Sequence, residues 1–532
     1  MASRRDELNG YTFAKKRLVA AFLQPSPDRT DEGAPNPLRA VLPGLVIAAL
    51  VLAGFGAWGM FRPKAPKGWD TPGQHVIVGS KSATLYVVLN TGGKRQLHPV
   101  LNMASARLLL KTDRFDLLKV DESELDSGKI PHGPTLGIPY APDRIPEAQE
   151  AERSKRWAVC EQPGSNGRSV QKATFLLADR DAGKVDGPGR LSGGQVLYVQ
   201  ETGGTEAARY LIDAKGTKYL IDGGRDTELL LRALVGSRQP QQVTKDWLAT
   251  FHDGTPIAFP DLPGTVGEPA GIQGLAAREN RVGVILRATT GAGAQQYAVL
   301  RGKVVPVSDF VARLLLFSKQ TAPLEQRNRP TEVDAQSFTP ETGSLFAEKQ
   351  WPQAVAEQAN ATTAGGEGGT VCSVLRSVSR TGGTELSTWA GTSYPQQIVN
   401  GGTSAYVTPG TGLFYKQIQA GDVDSGAHFL VTDTGLRYGV QTNNDSSAKQ
   451  SGIGADGEDK DGSQGSGQGP GEGPEAGPGS GPGPGKQQES HQAQILLGYK
   501  DIKPALVPAS WSKFLPMGPR LDTNAARQPQ GS

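Results

Sequence analysis

Several of the features that mark chemical function are scarce in this chain of 532 residues. Only two cysteines occur, Cys160 and Cys372, with no Cys-x-x-Cys spacing, which excludes a zinc site built on thiolates. They are two buried thiols or one disulfide. The formal net charge is +3, from 56 basic and 53 acidic residues, with no basic stripe that would neutralise a run of phosphates, so no nucleic acid is expected as a partner. The six histidines, His75, His98, His132, His252, His428 and His491, are scattered. Neither His-Glu-x-x-His nor Gly-x-Ser-x-Gly is present. A phosphate loop of the form Gly-x-x-x-x-Gly-Lys-Ser/Thr is also missing. The nearest string, Ser480 to Gln487 around Gly485-Lys486, lacks the first glycine and the hydroxyl residue and follows no strand. Acidic pairs such as Asp121-Glu122, or Asp456 with Glu458 and Asp459, fall in solvated stretches. These absences lead to the expectation of no catalytic, cofactor-binding or metal-binding residues, and of a chain that is not an enzyme.

What the chain does have is a long uncharged run. Ala40 to Phe61 reads AVLPGLVIAALVLAGFGAWGMF. At about 1.5 Å per residue such a helix is roughly 33 Å long, enough to cross a bilayer core. About forty polar residues precede it, which separates it from a cleaved signal peptide. Arg4, Arg5, Lys15, Lys16, Arg17, Arg29 and Arg39 come before the run and Arg62, Lys64 and Lys67 after it, so the basic residues lean toward a cytoplasmic N-terminus. Upstream, Tyr11, Phe13 or Ala14, Leu18, Phe22 and Leu23 recur near helical spacing among Lys15, Lys16 and Arg17, and predict an amphipathic helix against the inner leaflet or a partner.

Beyond the run a pattern recurs four times. Each copy opens with two short apolar strands around a Gly turn, at Tyr86 to Val100, Arg209 to Ile221, Tyr297 to Val307 and Phe429 to Val440. A helical run follows, at Ala104 to Leu110, Leu229 to Leu234, Phe310 to Phe317 and Ala493 to Tyr499. A further element starts at Val120, Val243, Val333 and Val507. A unit this small cannot bury a core alone, so the copies must pack on each other or on something central. Strand-like stretches outside the repeats, Trp157 to Glu161, Thr174 to Ala178, Gln195 to Gln200, Val371 to Val378 and Ala405 to Thr408, supply that centre. The fold expected is α+β, with one transmembrane helix and four hairpin-plus-helix repeats around a β-rich core.

The divisions expected are a cytoplasmic segment 1–39, the membrane helix 40–61, a linker 62–85, repeat 1 at 86–145, the first part of the core at 155–208, repeat 2 at 209–262, repeat 3 at 280–340, the second part of the core at 341–427, repeat 4 at 428–520 and a tail 521–532. Within repeat 4, residues 443–492 turn to Gly, Pro, Ser, Gln and acids, which predicts a disordered insertion that buries nothing. Both cysteines lie beyond the membrane helix, one in each half of the core. A Cys160–Cys372 disulfide is therefore expected.

The segment SRRDELNGYTFAKKRLVAAFLQ, followed by a Pro-rich link and the apolar run, resembles the opening of EccB proteins, membrane-anchored components of the actinobacterial type VII secretion system. The resemblance continues through GWDTPGQHVIVGSKSATLYVV, LHPVLNMASARLLL, IPHGPTLGIPYAPD, KRWAVCEQPG and VTPGTGLFYKQI. It implies a structural component of the secretion membrane complex, a large extracytoplasmic domain, and assembly with the EccC ATPase, EccD, EccE and further copies of the chain for export of WXG-type substrates. Two other readings stand beside it. One is a membrane-anchored nucleotide hydrolase of the same system, the other a cell-wall-binding module. Aromatic content of 6% is modest for a glycan binder.

Overall fold

The computed structural model describes residues 4–23, 38–60, 65–112, 115–164, 169–203, 208–291, 293–360, 369–398, 404–419, 422–441, 453 and 492–530. Arg4–Leu23 is a helix, longer than the sequence pattern indicated. At 100° per residue Leu8, Tyr11, Leu18 and Phe22 share one stripe, but Lys15 falls in it and Phe13 lies on the opposite side. The apolar face is thus less clean than the amphipathic reading held. Leu38–Met60 is the second long helix, and its segment Val41–Trp58 is long and apolar enough to cross a membrane. Phe61, the last residue of the expected span, lies outside the described residues.

Four sheets share one connectivity. In the first, strands Val76–Gly79, Leu85–Thr91 and Lys94–Val100 run antiparallel in turn, helix Met103–Leu108 follows, and Leu117–Val120 returns parallel to the first strand. The second joins Gln195–Glu201, Arg209–Asp213, Thr217–Leu220, helix Thr227–Leu234 and Gln241–Val243 in the same way. The third joins Ile285–Thr290, Gly293–Leu300, Lys303–Val307, helix Asp309–Phe317 and Thr331–Glu332. The fourth joins Leu413–Ile418, His428–Val431, Arg437–Val440, helix Gln492–Leu496 and Ala505–Pro508.

Local chemistry explains the pieces. Gly92 and Gly93 take φ of 59° and 76° in the two-residue turn between Thr91 and Lys94, as a hairpin turn with two left-handed positions needs. Asn102, Ser308 and Thr244 each cap the helix that follows, accepting from the amides of Ser105, Val311 and Trp247. In each sheet the chain then returns along the outer edge of the third strand, bridging Val100 with Leu136, Ile221 with Ile257, Val304 with Pro340 and Val440 with Leu521. That return blunts an edge otherwise open to other strands.

Three sequence expectations are corrected here. Each sheet contains a first strand ahead of the hairpin that the repeat pattern left out. Gln195–Glu201, expected in the core, is the first strand of the second sheet. Ile453, inside the expected insertion, is buried among residues of the first and fourth sheets and bridges to Thr91. The rest of that insertion, 443–452 and 454–491, lies outside the described residues, and its last residue, Gln492, opens the helix Gln492–Leu496.

The fifth sheet is central and has the strand order Thr384–Gly391, Thr370–Val378, Arg156–Pro163, Val170–Leu177, Ala405–Val407. Two of its strands precede the second sheet in sequence and three follow the third, so the chain comes back to finish it. One face holds Trp157, Val159 and Leu176 against the second and fourth sheets. The helix-bearing face of the second sheet packs on that of the third, and the fourth on the first. The second and fourth sheets therefore share one face of the central sheet, with the third packed on the second and the first on the fourth.

Candidate functional site

The central sheet is where the two halves of the core, far apart in sequence, meet. Cys160 and Cys372 stand directly opposite on neighbouring antiparallel strands, are bonded through sulfur, and are separated by 212 residues in sequence with both side chains fully buried. Phe175 lies on the same face, with Tyr394 at 5.8 Å and Tyr406 at 6.3 Å between ring centroids. Asp181 accepts from Lys184 at 2.9 Å and from Thr408 Oγ1 at 2.8 Å, and Lys184 also donates to Gln396 at 2.7 Å. These bonds fix the segment that runs over the disulfide.

On the opposite face two tryptophans from equivalent short helices dock side by side. Trp247 is fully buried and donates Nε1–H to the Val159 carbonyl at 2.9 Å. Trp511 is 1% exposed and packs with Trp157, Tyr415 and Phe429 in one cluster. The Trp157 and Tyr415 rings meet edge to face at 5.6 Å, the arrangement aromatic quadrupoles favour. Lys513 of the fourth unit donates to Asp246 of the second at 2.6 Å, so the two halves also touch directly.

Glu161 ties the central sheet to the second unit. Its buried carboxylate accepts from the Thr244 amide at 2.8 Å and from the Thr244 hydroxyl, and Thr244 in turn caps the Trp247 helix. Burial raises the Glu161 carboxyl above its ordinary range, and the two Thr244 donors pull the other way. Asp186 is held low by Arg156 and Arg376, which offset the burial that acts against its charge.

A second seam joins the ends of the folded chain. Arg107 donates to the Leu497 carbonyl at 2.8 Å, and the Tyr499 hydroxyl donates to the Pro146 carbonyl at 2.8 Å. Ile453 lies in the same apolar cluster.

The other residues singled out from sequence do not come together. His98 is fully buried and serves structure: Nδ1–H donates to the Pro134 carbonyl at 3.0 Å, which leaves Nε2 to accept from Thr91 at 3.3 Å. Asp121 caps its own short helix through the Ser123 amide. Its neighbour Glu122, expected in a merely solvated segment, has a specific role. Its carboxylate fills the turn after the first strand, accepting from the Lys81 and Ser82 amides at 2.7 and 2.8 Å and from the Ser80 hydroxyl at 3.0 Å. Those donors bring its pKa down to about 2. The Gly79-Ser80-Lys81-Ser82 turn is therefore an anion cradle occupied by the protein's own carboxylate. Sequence spacing gave no warning of it, because the partner is forty residues away. Among the described residues no group of His, Cys, Asp and Glu is placed to hold a metal.

Comparison with known proteins decides the family. The profile described as Type VII secretion system ESX-1, transport TM domain B, matches residues 1–531. The chain belongs to the EccB family. It is 26% identical over 310 residues to the ESX-1 secretion system ATPase EccB1 of Mycolicibacterium smegmatis, strain MKD8, a match that spans 58% of this chain and only 60% of that relative. With the ESX-3 secretion system ATPase EccB3 of Mycobacterium tuberculosis, strain H37Rv, it shares 26% identity over 475 residues, 82% of this chain and 80% of the relative. The fold matches that in a structure of the EccB3 dimer from the ESX-3 core complex, with a TM-score of 0.52 and 21% identity over 85% of this chain and 99% of that one. It also matches a chain of an intact ESX-5 inner membrane complex, with a TM-score of 0.53 and 19% identity over 100% and 96%. Membership makes the chain a component of a type VII secretion system.

One expectation is overturned. The EccB relatives carry ATPase in their names, so the reading of this chain as a non-enzyme does not stand. That reading rested on the missing Gly-x-x-x-x-Gly-Lys-Ser/Thr string, which speaks to one way of holding a phosphate and not to others.

Proposed function

We propose that this chain is a membrane-anchored structural component of the type VII secretion membrane complex, organising the part outside the cytoplasmic membrane for export of WXG-type substrates. The observation that carries the reading is the family match over residues 1–531, on a chain whose one membrane-crossing candidate, Val41–Trp58, stands ahead of a large β-rich mass. The basic residues before the helix favour a cytoplasmic N-terminus, and a disulfide belongs on the oxidising side. The shared connectivity of four sheets supports four copies of one unit, spanning about 76–136, 195–257, 285–340 and 413–521, around the central sheet. EccC, EccD and EccE are the partners proposed, together with at least one further copy of the chain, as the dimeric EccB3 structure suggests by likeness.

Deleting the chain should stop export of WXG-type substrates and leave general secretion intact. Unchanged export would sink the proposal. Orientation has its own test in intact cells: a cysteine in place of exposed Arg301 should react with a membrane-impermeant thiol reagent and one in place of Lys16 should not. The reverse pattern would place the folded mass in the cytoplasm.

A further inference from the structure

The last short helix, Thr523–Ala526, packs against Met103–Leu108 in the seam between the first and fourth units. Arg527 follows it directly and continues its helical backbone. The Arg527 side chain is charged under any condition in which the protein folds, yet the residue is only 8% exposed. Its Nε and Nη1 have no hydrogen-bond partner, and no carboxylate among the described residues pairs with it. Thr523, four positions earlier and so on the same face of the helix, is 1% exposed, and its hydroxyl is also unpartnered. Across the seam Arg107 is spread 4.0 Å over the Phe115 ring and donates to the Leu497 carbonyl at 2.8 Å, with its Nε unpaired. The one nearby carboxylate on this helix, Asp522, caps the Ala525 amide at 2.7 Å.

A buried charge with unmet donors is among the most unfavourable arrangements a fold can hold, unless an opposite charge answers it. Here Arg527 Nε and Nη1 and the Thr523 hydroxyl lie buried on one face, and nothing among the described residues answers them. We propose that this seam is an oxyanion site, binding a phosphate or carboxylate group through Arg527 and Thr523. Burial lowers the Arg527 guanidinium pKa, as expected where the countercharge is missing. The site closes the fourth unit on the first, so an anion held there stabilises the closure of the folded chain on itself. This inference does not rest on the secretion reading.

The test is thermal unfolding of the full-length protein in detergent, in sodium phosphate and in sodium acetate, against sodium chloride at equal ionic strength and pH. A ligand that binds only the folded state raises the midpoint progressively with its concentration. The wild type should rise in phosphate, acetate or both, and which of them acts assigns the ligand class. Arg527→Met should lose that rise and Thr523→Val should weaken it. Equal rises in the wild type and Arg527→Met would mean a general salt effect and would overturn the proposal, as would the absence of any rise over chloride. Should Arg527→Met fail to fold, Arg527→Lys keeps the charge without the planar fork. It should show a reduced response, and an unreduced one would count against the site.

Discussion

The second and fourth units and the first and third share a connectivity but bury their open faces in different ways. In the inner pair that face lies on the central sheet, with Trp247 and Trp511 at its heart. In the outer pair it is covered by the chain's own flanks: Trp69 and Ile130 over Ile77, Val88 and Val120 in the first, Ala270, Leu275 and Phe338 over Leu286, Tyr297 and Val299 in the third. The same small unit is therefore either a joint or an end cap, according to what its last element presents. Val243 and Val507 are each followed four residues later by a tryptophan, whereas Val120 and Val333 lead five residues on to Leu125 and Phe338. A large indole fills the space under a five-stranded sheet, and a smaller side chain suffices beneath a short flanking segment.

The largest test of this contrast removes the bond that holds the joint together. Replacing Cys160 and Cys372 by Ala should cost up to about 5 kcal/mol on the chain-entropy estimate for so long a loop. Denaturant unfolding of the full-length protein in detergent measures it, and a cost under about 1 kcal/mol would mean that the central sheet closes without the bond. Because both sulfurs are fully buried, reductant should leave the bond intact until the protein unfolds.

Next come the tryptophans. Trp247→Ala or Trp511→Ala should each cost about 3–5 kcal/mol, the usual range for a fully buried indole. Hydrogen exchange should then rise through the central sheet. Leu125→Ala and Phe338→Ala should cost somewhat less, about 2–4 kcal/mol, with faster exchange confined to the first or third unit. If an outer substitution loosened the central sheet as much as Trp511→Ala, the division into joints and caps would be wrong.

Smaller effects belong to the seam between the first and fourth units. Ile453→Ala should cost about 2 kcal/mol if the residue fixes the two units as its burial implies, at the low end of the range for a large aliphatic side chain. A silent substitution would return this position to the insertion that buries nothing. The slightest expected effect concerns pH. Burial lowers the His98 pKa below its ordinary value of about 6.5, so the folded state refuses a proton that the unfolded chain accepts. The stability this contributes is complete above about pH 6.5 and is lost as the pH falls through the depressed folded value. His98→Gln should flatten the acid side of the stability curve, and an unchanged slope would show that other groups set it.

How much of this was legible in the sequence depends on range. The hairpins and helices declared themselves through local turns, caps and periodicity, and the four-fold recurrence followed. The first strand of each unit did not, because Val76–Gly79 and its counterparts find their parallel partner about 40 to 90 residues later, with no turn to mark the pairing. Gln195–Glu201 was assigned to the core for the same reason. The cysteines were legible as a pair because only two exist. Trp511 stands at the same spacing from Val507 as Trp247 from Val243, a recurrence open to sequence reading. Glu122 and Arg527 gave no local signal at all, since what distinguishes them is the company that folding brings.

The central claim is that this chain works as part of the type VII secretion membrane complex. Affinity purification of the full-length chain from gently solubilised membranes, followed by mass spectrometry, tests it most directly. EccC, EccD and EccE should be recovered with the chain. Recovery of the chain alone, or with cell-wall proteins and no secretion component, would contradict it.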